Sequence, residues 1–360
     1  MKKRTIITCL FVMIAMTGQG QITCHVEGIL DTDAWGDDII ICEEGTDLRV
    51  IDEPRFHIHA IDGRFTYYDI ETDFPRLYNV FFLNQFKTGK FYVGKFLTEN
   101  CDVNVTMYED QPMRVISNGE EGRKQQVRDS IEQIHCGNSP KERLPFRLNY
   151  AKEHPMLCPL YDVLDAIHTL CHASIYTDFD ASQWEAYLTL YHDKLVDMYP
   201  DHPIHEQIAT VEAAYRLQPG KPYIDYNVRN NDGQLVPIST MIKGKVALVD
   251  LWASWCGPCR RHSIAMIPIY ERYKDQGFTV VAIARERNRD ALEKAVKKDG
   301  YPWICLLELN DENQIWRKNG IDRSGGAMFL IDCDGTILST STNAEELESL
   351  IYKSLNNKQL

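Results

Sequence analysis

Past residue 16 the 360-residue chain has no apolar run long enough to cross a bilayer, and it has no internal repeat and no low-complexity tract. Basic residues are in deficit. The 39 Lys and Arg stand against 52 Asp and Glu, a formal charge of -13, which argues against nucleic acid or anionic lipid as partner. There is a single Cys-x-x-Cys, at Cys256 and Cys259, and no second pair at ligand spacing, so a structural zinc site lacks half its ligands; His262 is the only near candidate. The residue after Cys259 is Arg260 rather than His, which excludes haem attachment. His168 and His172 are four apart, but Thr169 stands where a His-Glu-x-x-His site needs glutamate. His57 and His59 share one strand face with no third ligand apparent. These histidines read as packing or face residues, and the expectation is a protein without metal or cofactor.

The N-terminus carries an address. Lys2, Lys3 and Arg4 precede an apolar run from Ile6 to Met16 and then Thr17-Gly18-Gln19-Gly20-Gln21, the pattern of a secretory signal peptide over residues 1–20. Neither Cys9 nor Cys24 follows the small apolar residues that mark a lipid-modified cysteine. Cleavage between Gly18 and Gln21 removes three positive charges and no negative one, taking the charge to -16, and leaves ten cysteines. The expected location is the periplasm or cell envelope, where disulfides persist. The connectivity of the eight cysteines outside the motif cannot be read from sequence; buried free thiols are the first reading and structural disulfides the second.

Three domains are expected after the signal. Over 21–118 short β-branched and aromatic runs (Ile39 to Cys42, Phe56 to Ile61, Phe65 to Tyr68, Val103 to Met107) alternate with turn signals such as Asp62-Gly63, which predicts a small antiparallel β-sandwich. Over 119–216 the spacing is helical. Asp180 to Gln183 reads as a capped start, and Trp184, Tyr187, Leu188, Tyr191 and Leu195 form a core stripe. Pro219-Gly220-Lys221-Pro222 marks a linker. Residues 217–360 alternate strands and helices, the signature of an α/β sheet with crossover connections.

The chemistry lies in that last part. Val246 to Leu251 reads as a buried strand, Ser263 to Tyr273 as a helix, and Trp252-Ala253-Ser254-Trp255-Cys256-Gly257-Pro258-Cys259 joins them. A strand-to-helix turn puts Cys256 on the helix N-terminus, where unpaired N–H groups and the macrodipole favour a thiolate. Cys256 is the expected nucleophile. Cys259, one turn further in and less open to solvent, is close enough to close a disulfide with it and is the expected resolving thiol. Ala253 stands where a thiol peroxidase would carry Thr or Ser, which counts against that activity. Arg285, Glu286 and Arg287 follow a neighbouring strand and read first as solvated loop charges and second as residues that shape the substrate face.

From about Leu217 onward the sequence resembles thioredoxins, and more closely the bacterial envelope thioredoxins typified by TlpA and ResA. The motifs are Trp-Cys-Gly-Pro-Cys, Gly244-Lys245-Val246, Gly277 to Ile283 and Phe329 to Gly335. The β region more weakly resembles the domain that often precedes such a unit. The resemblance implies a thioredoxin fold and a thiol–disulfide oxidoreductase. Asp250 matches the buried acid that handles the proton of the resolving cysteine, and burial raises a carboxyl pKa toward neutrality. Trp255 would shield the sulfur and Trp252 pack beneath it, with Trp255, Gly257, Pro258, Gly325 and Gly326 on the substrate face. Gly326 occupies the place of the family's cis-proline, and this departure predicts looser docking of substrate backbone and weaker exclusion of stray metals. The implied partners are disulfide-containing envelope proteins as substrates and a membrane thiol-relay protein as electron donor, with cytochrome c maturation as a candidate task. The alternative is an envelope binding module in which the thioredoxin unit is secondary.

Overall fold

The computed structural model describes residues 21–50, 56–137, 139–171, 181–230, 232–322 and 324–357. The expected signal peptide, His172 and the Asp180 helix start lie outside them, as do the side chains of His168, Thr169 and Trp184. Among the described residues no helix is long and apolar enough to cross a membrane.

The N-terminal part comprises β1 (Ile22–Leu30), β2 (Asp38–Glu43), β3 (Phe56–His59), β4 (Arg64–Thr72), β5 (Leu77–Phe82), a short α1 (Leu83–Lys87), β6 (Gly94–Leu97), β7 (Cys101–Met107) and β8 (Arg114–Ser117). Two four-stranded sheets, β4-β1-β7-β8 and β3-β2-β5-β6, face one shared core that includes Val26, Ile41, Ile70, Tyr78, Phe96 and Val105. The Asp62-Gly63 signal forms the β3–β4 turn. Both residues have positive φ, and Ile61 and Arg64 exchange backbone hydrogen bonds of 2.8 and 3.0 Å, as a two-residue type I′ turn requires. The expectation of a purely antiparallel sandwich needs correction, because β1 and β7 pair in parallel. Parallel neighbours need a long connection, and here the whole second sheet is built within it. His57 and His59 lie where β3 pairs with β2, and both ring nitrogens reach Asp38, at 3.1 and 3.2 Å.

A helical layer follows: α2 (Glu120–Cys136), α3 (Pro140–Glu153), α4 (Cys158–Cys171), α5 (Ala181–Leu190) and α6 (Ile204–Tyr215). Tyr187, Leu188, Tyr191 and Leu195 are buried in its core, as their spacing predicted. The layer is tied to the second sheet by the Leu77 amide, which donates to Tyr161 Oη at 3.1 Å, and by His202, whose Nε2 lies 2.7 Å from the Pro75 carbonyl.

The C-terminal unit contains β9 (Asn227–Arg229), β10 (Leu235–Pro237), α7 (Ser239–Ile242), β11 (Val246–Trp252), α8 (Gly257–Tyr273), β12 (Phe278–Glu286), α9 (Arg289–Asp299), β13 (Ile304–Leu309), α10 (Ile315–Lys318), β14 (Ala327–Ile331), β15 (Ile337–Ser339) and α11 (Ala344–Asn357). Its sheet has the order β13-β12-β11-β14-β15, with β14 antiparallel to β11. The central strand β11 is buried at every position. Side chains alternate across a strand, so Val246, Leu248 and Trp252 face the core under α8, α9 and α11, while Ala247, Val249 and Leu251 face α7, α10 and the end of α6. Asp250 therefore points toward α8. The expected linker is no free tether. Gly220 donates to the Ile337 carbonyl and Ile337 to that of Lys221, both at 2.8 Å, which pins it to the β14–β15 hairpin.

Candidate active site

The geometry starts from the end of β11. The chain leaves the sheet after Trp252, and Cys256 is the N-cap of the 17-residue α8, with its Sγ 3.3 Å from the Cys259 amide. Pro258 lies in the first turn, where its missing N–H costs no hydrogen bond. Cys256 and Cys259 are joined in a disulfide with Cα atoms 5.4 Å apart. Both are half-buried, and only Cys259 packs against the core beneath α8.

Asp250 is buried in the middle of β11, and the loss of water pushes its carboxyl up to about 7. Its partner was not anticipated from sequence. Ser263 Oγ lies 2.6 Å from Asp250 Oδ2 and 3.1 Å from the Cys259 carbonyl oxygen. A hydroxyl has one proton to give. When Asp250 is ionised, Ser263 donates to it; when Asp250 is protonated, the acid can donate to Ser263 and leave the hydroxyl to the carbonyl. The available signal was a small polar residue four positions after Cys259, in line with the apolar stripe of Met266, Ile269 and Tyr273.

The loop before Cys256 is held from two sides. Glu286, at the end of β12, accepts from both the amide and the hydroxyl of Ser254, the latter at 2.8 Å. Arg260 pairs bidentately with Asp299, at 2.7 and 2.6 Å, and donates to the Ser254 carbonyl at 3.1 Å. Arg285 and Glu286 are 2 % and 1 % exposed, which corrects their reading as solvated loop charges: β12 runs through both and the neighbouring loops cover them. Burial raises the Glu286 carboxyl, whereas Arg285 is held by Asp311 Oδ1 at 2.6 Å, Asp47 Oδ2 at 2.8 Å and the Asp322 carbonyl at 3.2 Å.

Asp47 belongs to the N-terminal part, and its neighbours also reach this rim. Arg287 donates to the carbonyl oxygens of Leu48 and Arg49. The Arg49 guanidinium lies 4.9 Å from the centre of the Trp255 ring, within cation–π range. Trp255 is 39 % exposed and Trp252 fully buried, its ring edge-on to Tyr301 at 5.1 Å. Residues 47–50 had no motif, and nothing local in the sequence signals a contact 238 residues away.

The glycines Gly325 and Gly326 approach from the other side. A Cβ on Gly325 would stand 2.7 Å from Cys256 Sγ and 3.4 Å from Cys259 Sγ; one on Gly326 would stand 2.0 Å from the Leu251 carbonyl oxygen. Neither glycine has positive φ. Their value is therefore proximity rather than backbone freedom, and Gly325, not the aligned Gly326, touches the sulfurs. The Gly325 backbone thus packs directly against the disulfide. Gly257 and Pro258 are exposed beside Cys256.

Residues 218–355 match the Redoxin family. The thiol–disulfide oxidoreductase ResA of Bacillus thuringiensis subsp. konkukian is 24 % identical over 141 residues, which is 38 % of this chain and 79 % of that protein. The thiol:disulfide interchange protein CycY of Rhizobium leguminosarum bv. viciae is 34 % identical over 117 residues, 31 % of this chain and 59 % of its own. A thioredoxin domain of a thiol–disulfide oxidoreductase from Bacteroides vulgatus is 25 % identical, with a TM-score of 0.36, covering 39 % of this chain and 99 % of that domain. The C-terminal region is a Redoxin domain of thioredoxin-like fold.

Proposed function

We propose that this bacterial thioredoxin-like thiol–disulfide oxidoreductase is exported and reduces disulfides in proteins of the cell envelope, drawing electrons from a membrane thiol-relay protein. The observation that carries the reading is the half-buried Cys256 sulfur at the N-terminus of α8, bonded to Cys259 above the buried Asp250. In the reduced enzyme the Cys256 thiolate attacks one sulfur of a substrate disulfide, and the other sulfur leaves as a thiolate and takes a proton. Cys259 then gives up its proton toward Asp250, whose carboxyl titrates near neutrality, and attacks Cys256 Sγ. The second substrate thiol departs, two electrons have passed to the substrate, and the Cys256–Cys259 disulfide is left.

Trp255, Gly257, Pro258 and Gly325 form the face that substrate meets, with Gly326 holding the Gly325 backbone against β11. The export signal in residues 1–20 supplies the address, and cytochrome c maturation, implied by the resemblance to TlpA and ResA, is the narrower form of the proposal. Residues 47–50 favour one element of the binding-module alternative. By docking on Trp255 and Arg285 they make the N-terminal part a contributor to substrate recognition rather than a separate receptor.

The test is the reduction potential of Cys256/Cys259 in the mature protein, equilibrated against dithiothreitol or glutathione buffers and read by thiol mass-tagging. A value near roughly -270 mV, as in thioredoxin, supports a reductase; one near roughly -120 mV, as in strong periplasmic oxidants, reverses the direction. A pair that does not cycle refutes the enzymatic reading.

A further inference from the structure

A second pair of sulfurs stands far from the Redoxin domain. Cys24 and Cys101 are directly opposed where β1 and β7 run in parallel, and their Sγ atoms are 3.9 Å apart. Cys24 is completely buried, Cys101 is half-buried, and Ser117 Oγ lies 3.6 Å from the Cys101 sulfur. A disulfide needs sulfurs about 2.05 Å apart on Cβ atoms roughly 3.5–4.5 Å apart. Facing residues of adjacent strands sit about 4.8 Å apart along the hydrogen-bonding direction, so side-chain rotation with a small backbone adjustment closes the gap. The two thiols are not equivalent. Cys101 is half-exposed and shares hydrogen bonds with Cys24 and Ser117, which pull its thiol down, while the neighbouring sulfur and the loss of water push the Cys24 thiol up.

We infer that Cys24 and Cys101 form a second dithiol–disulfide couple, which closes into a cross-strand bond tying the first strand of the chain to its sheet. The oxidant is a disulfide, either oxidised glutathione or a protein disulfide. The Cys101 thiolate attacks one of its sulfurs and displaces the other as a thiolate. Cys24 then loses its proton to that leaving group and attacks Cys101 Sγ, expelling the second oxidant sulfur. Two protons and two electrons pass from the cysteines to the oxidant, and one S–S bond replaces another.

The bond would close a loop over 24–101 that contains the whole β3-β2-β5-β6 sheet and the 47–50 segment resting on Trp255 and Arg285. Linking distant positions removes freedom from the unfolded chain and not from the fold. The oxidised couple therefore steadies the part of the molecule that supplies the second rim of the candidate active site. The inference does not depend on the redox role of Cys256 and Cys259.

The test uses the full mature chain with Cys256→Ser and Cys259→Ser, so that the Cys256–Cys259 disulfide cannot form. The protein is equilibrated across glutathione buffers, alkylated and mapped by peptide mass spectrometry. The expected result is a Cys24–Cys101 cross-linked peptide that appears on oxidation, the loss of two alkylatable thiols and a higher denaturation midpoint for the oxidised form. Adding Cys24→Ser should leave a stable glutathione adduct on Cys101, since the resolving thiol is gone, whereas adding Cys101→Ser should leave Cys24 unmodified in the native protein. Recovery of both cysteines as free thiols after exposure to excess oxidised glutathione would overturn the inference. So would a Cys101 adduct that persists while Cys24 is present.

Discussion

Replacing Asp250 with Asn tests the buried acid through stability alone, without any assay of turnover. The carboxyl is pushed from 3.8 up to about 7 by burial. Its folded-state pKa is thus raised, so the fold holds the proton more tightly than the unfolded chain does. Below pH 4 both states are protonated and the residue costs nothing. Between pH 4 and pH 7 the unfolded chain ionises while the fold stays protonated, and stability falls by about 1.4 kcal/mol per pH unit. Above pH 7 the fold ionises as well and the cost levels off at roughly 4 kcal/mol. Asn resembles the protonated acid in shape and can accept the Ser263 hydrogen bond, but its buried amide N–H groups offset about 1 kcal/mol of the gain. Asp250→Asn should be about 1 kcal/mol less stable than wild type below pH 4 and about 3 kcal/mol more stable at pH 8, with the rise between pH 4 and pH 7. Urea denaturation of the oxidised protein, followed by tryptophan fluorescence, reads it, because four of the six tryptophans lie in the Redoxin region. A difference that does not vary with pH would refute the reasoning, as would an Asn variant less stable than wild type at pH 8.

Four further perturbations follow from the geometry. Cys259→Ser should accumulate a mixed disulfide with a disulfide-containing peptide, visible by mass under non-reducing conditions, while Cys256→Ser should not; trapping by the latter alone would reverse the two roles. In Gly325→Ala the new Cβ meets Cys256 Sγ at 2.7 Å. Insulin-reduction turnover should drop at least tenfold with the unfolding midpoint of the reduced protein little changed, and unchanged turnover would show that the close approach is idle. Arg285→Leu leaves the partly buried Asp311 without its guanidinium and Asp47 with Arg49 alone, and should destabilise the protein by about 1–3 kcal/mol. Asp47→Asn removes the charge that pairs with Arg285 and with Arg49, leaves the Arg287 contacts to Leu48 and Arg49 in place, and should make the 44–50 segment more open to limited proteolysis while the C-terminal domain stays folded. Equal protease resistance in that variant would mean the docking rests elsewhere.

Most of the active-site architecture was legible because its signals are local. A buried strand, a Trp-Cys-Gly-Pro-Cys turn and an apolar helical stripe are consecutive in the chain, and the backbone geometry that joins them follows from N-capping and from proline's tolerance in a first turn. The Asp62-Gly63 turn was readable for the same reason, since two residues set that hairpin. Strands β1, β5, β6 and β8 were not singled out, because short runs such as Leu77 to Phe82 and Arg114 to Ser117 acquire strand character only from the partners they meet.

The sequence alone pointed to Cys256 and Cys259 as the proposed redox pair and to the α/β character of the C-terminal domain, through residue type and spacings of a few positions, and to Asp250 as the proposed acid through its resemblance to thioredoxins. Tertiary structure decided what surrounds them. It set Ser263 between Asp250 and Cys259, put Gly325 rather than Gly326 against the sulfur, buried Arg285 and Glu286, brought Arg49 over Trp255, and placed Cys24 beside Cys101 across a parallel ladder. Such contacts join residues tens to hundreds of positions apart. They depend on how sheets and helices pack once formed, and packing selects for fit among many compatible side chains rather than for a pattern written along one segment.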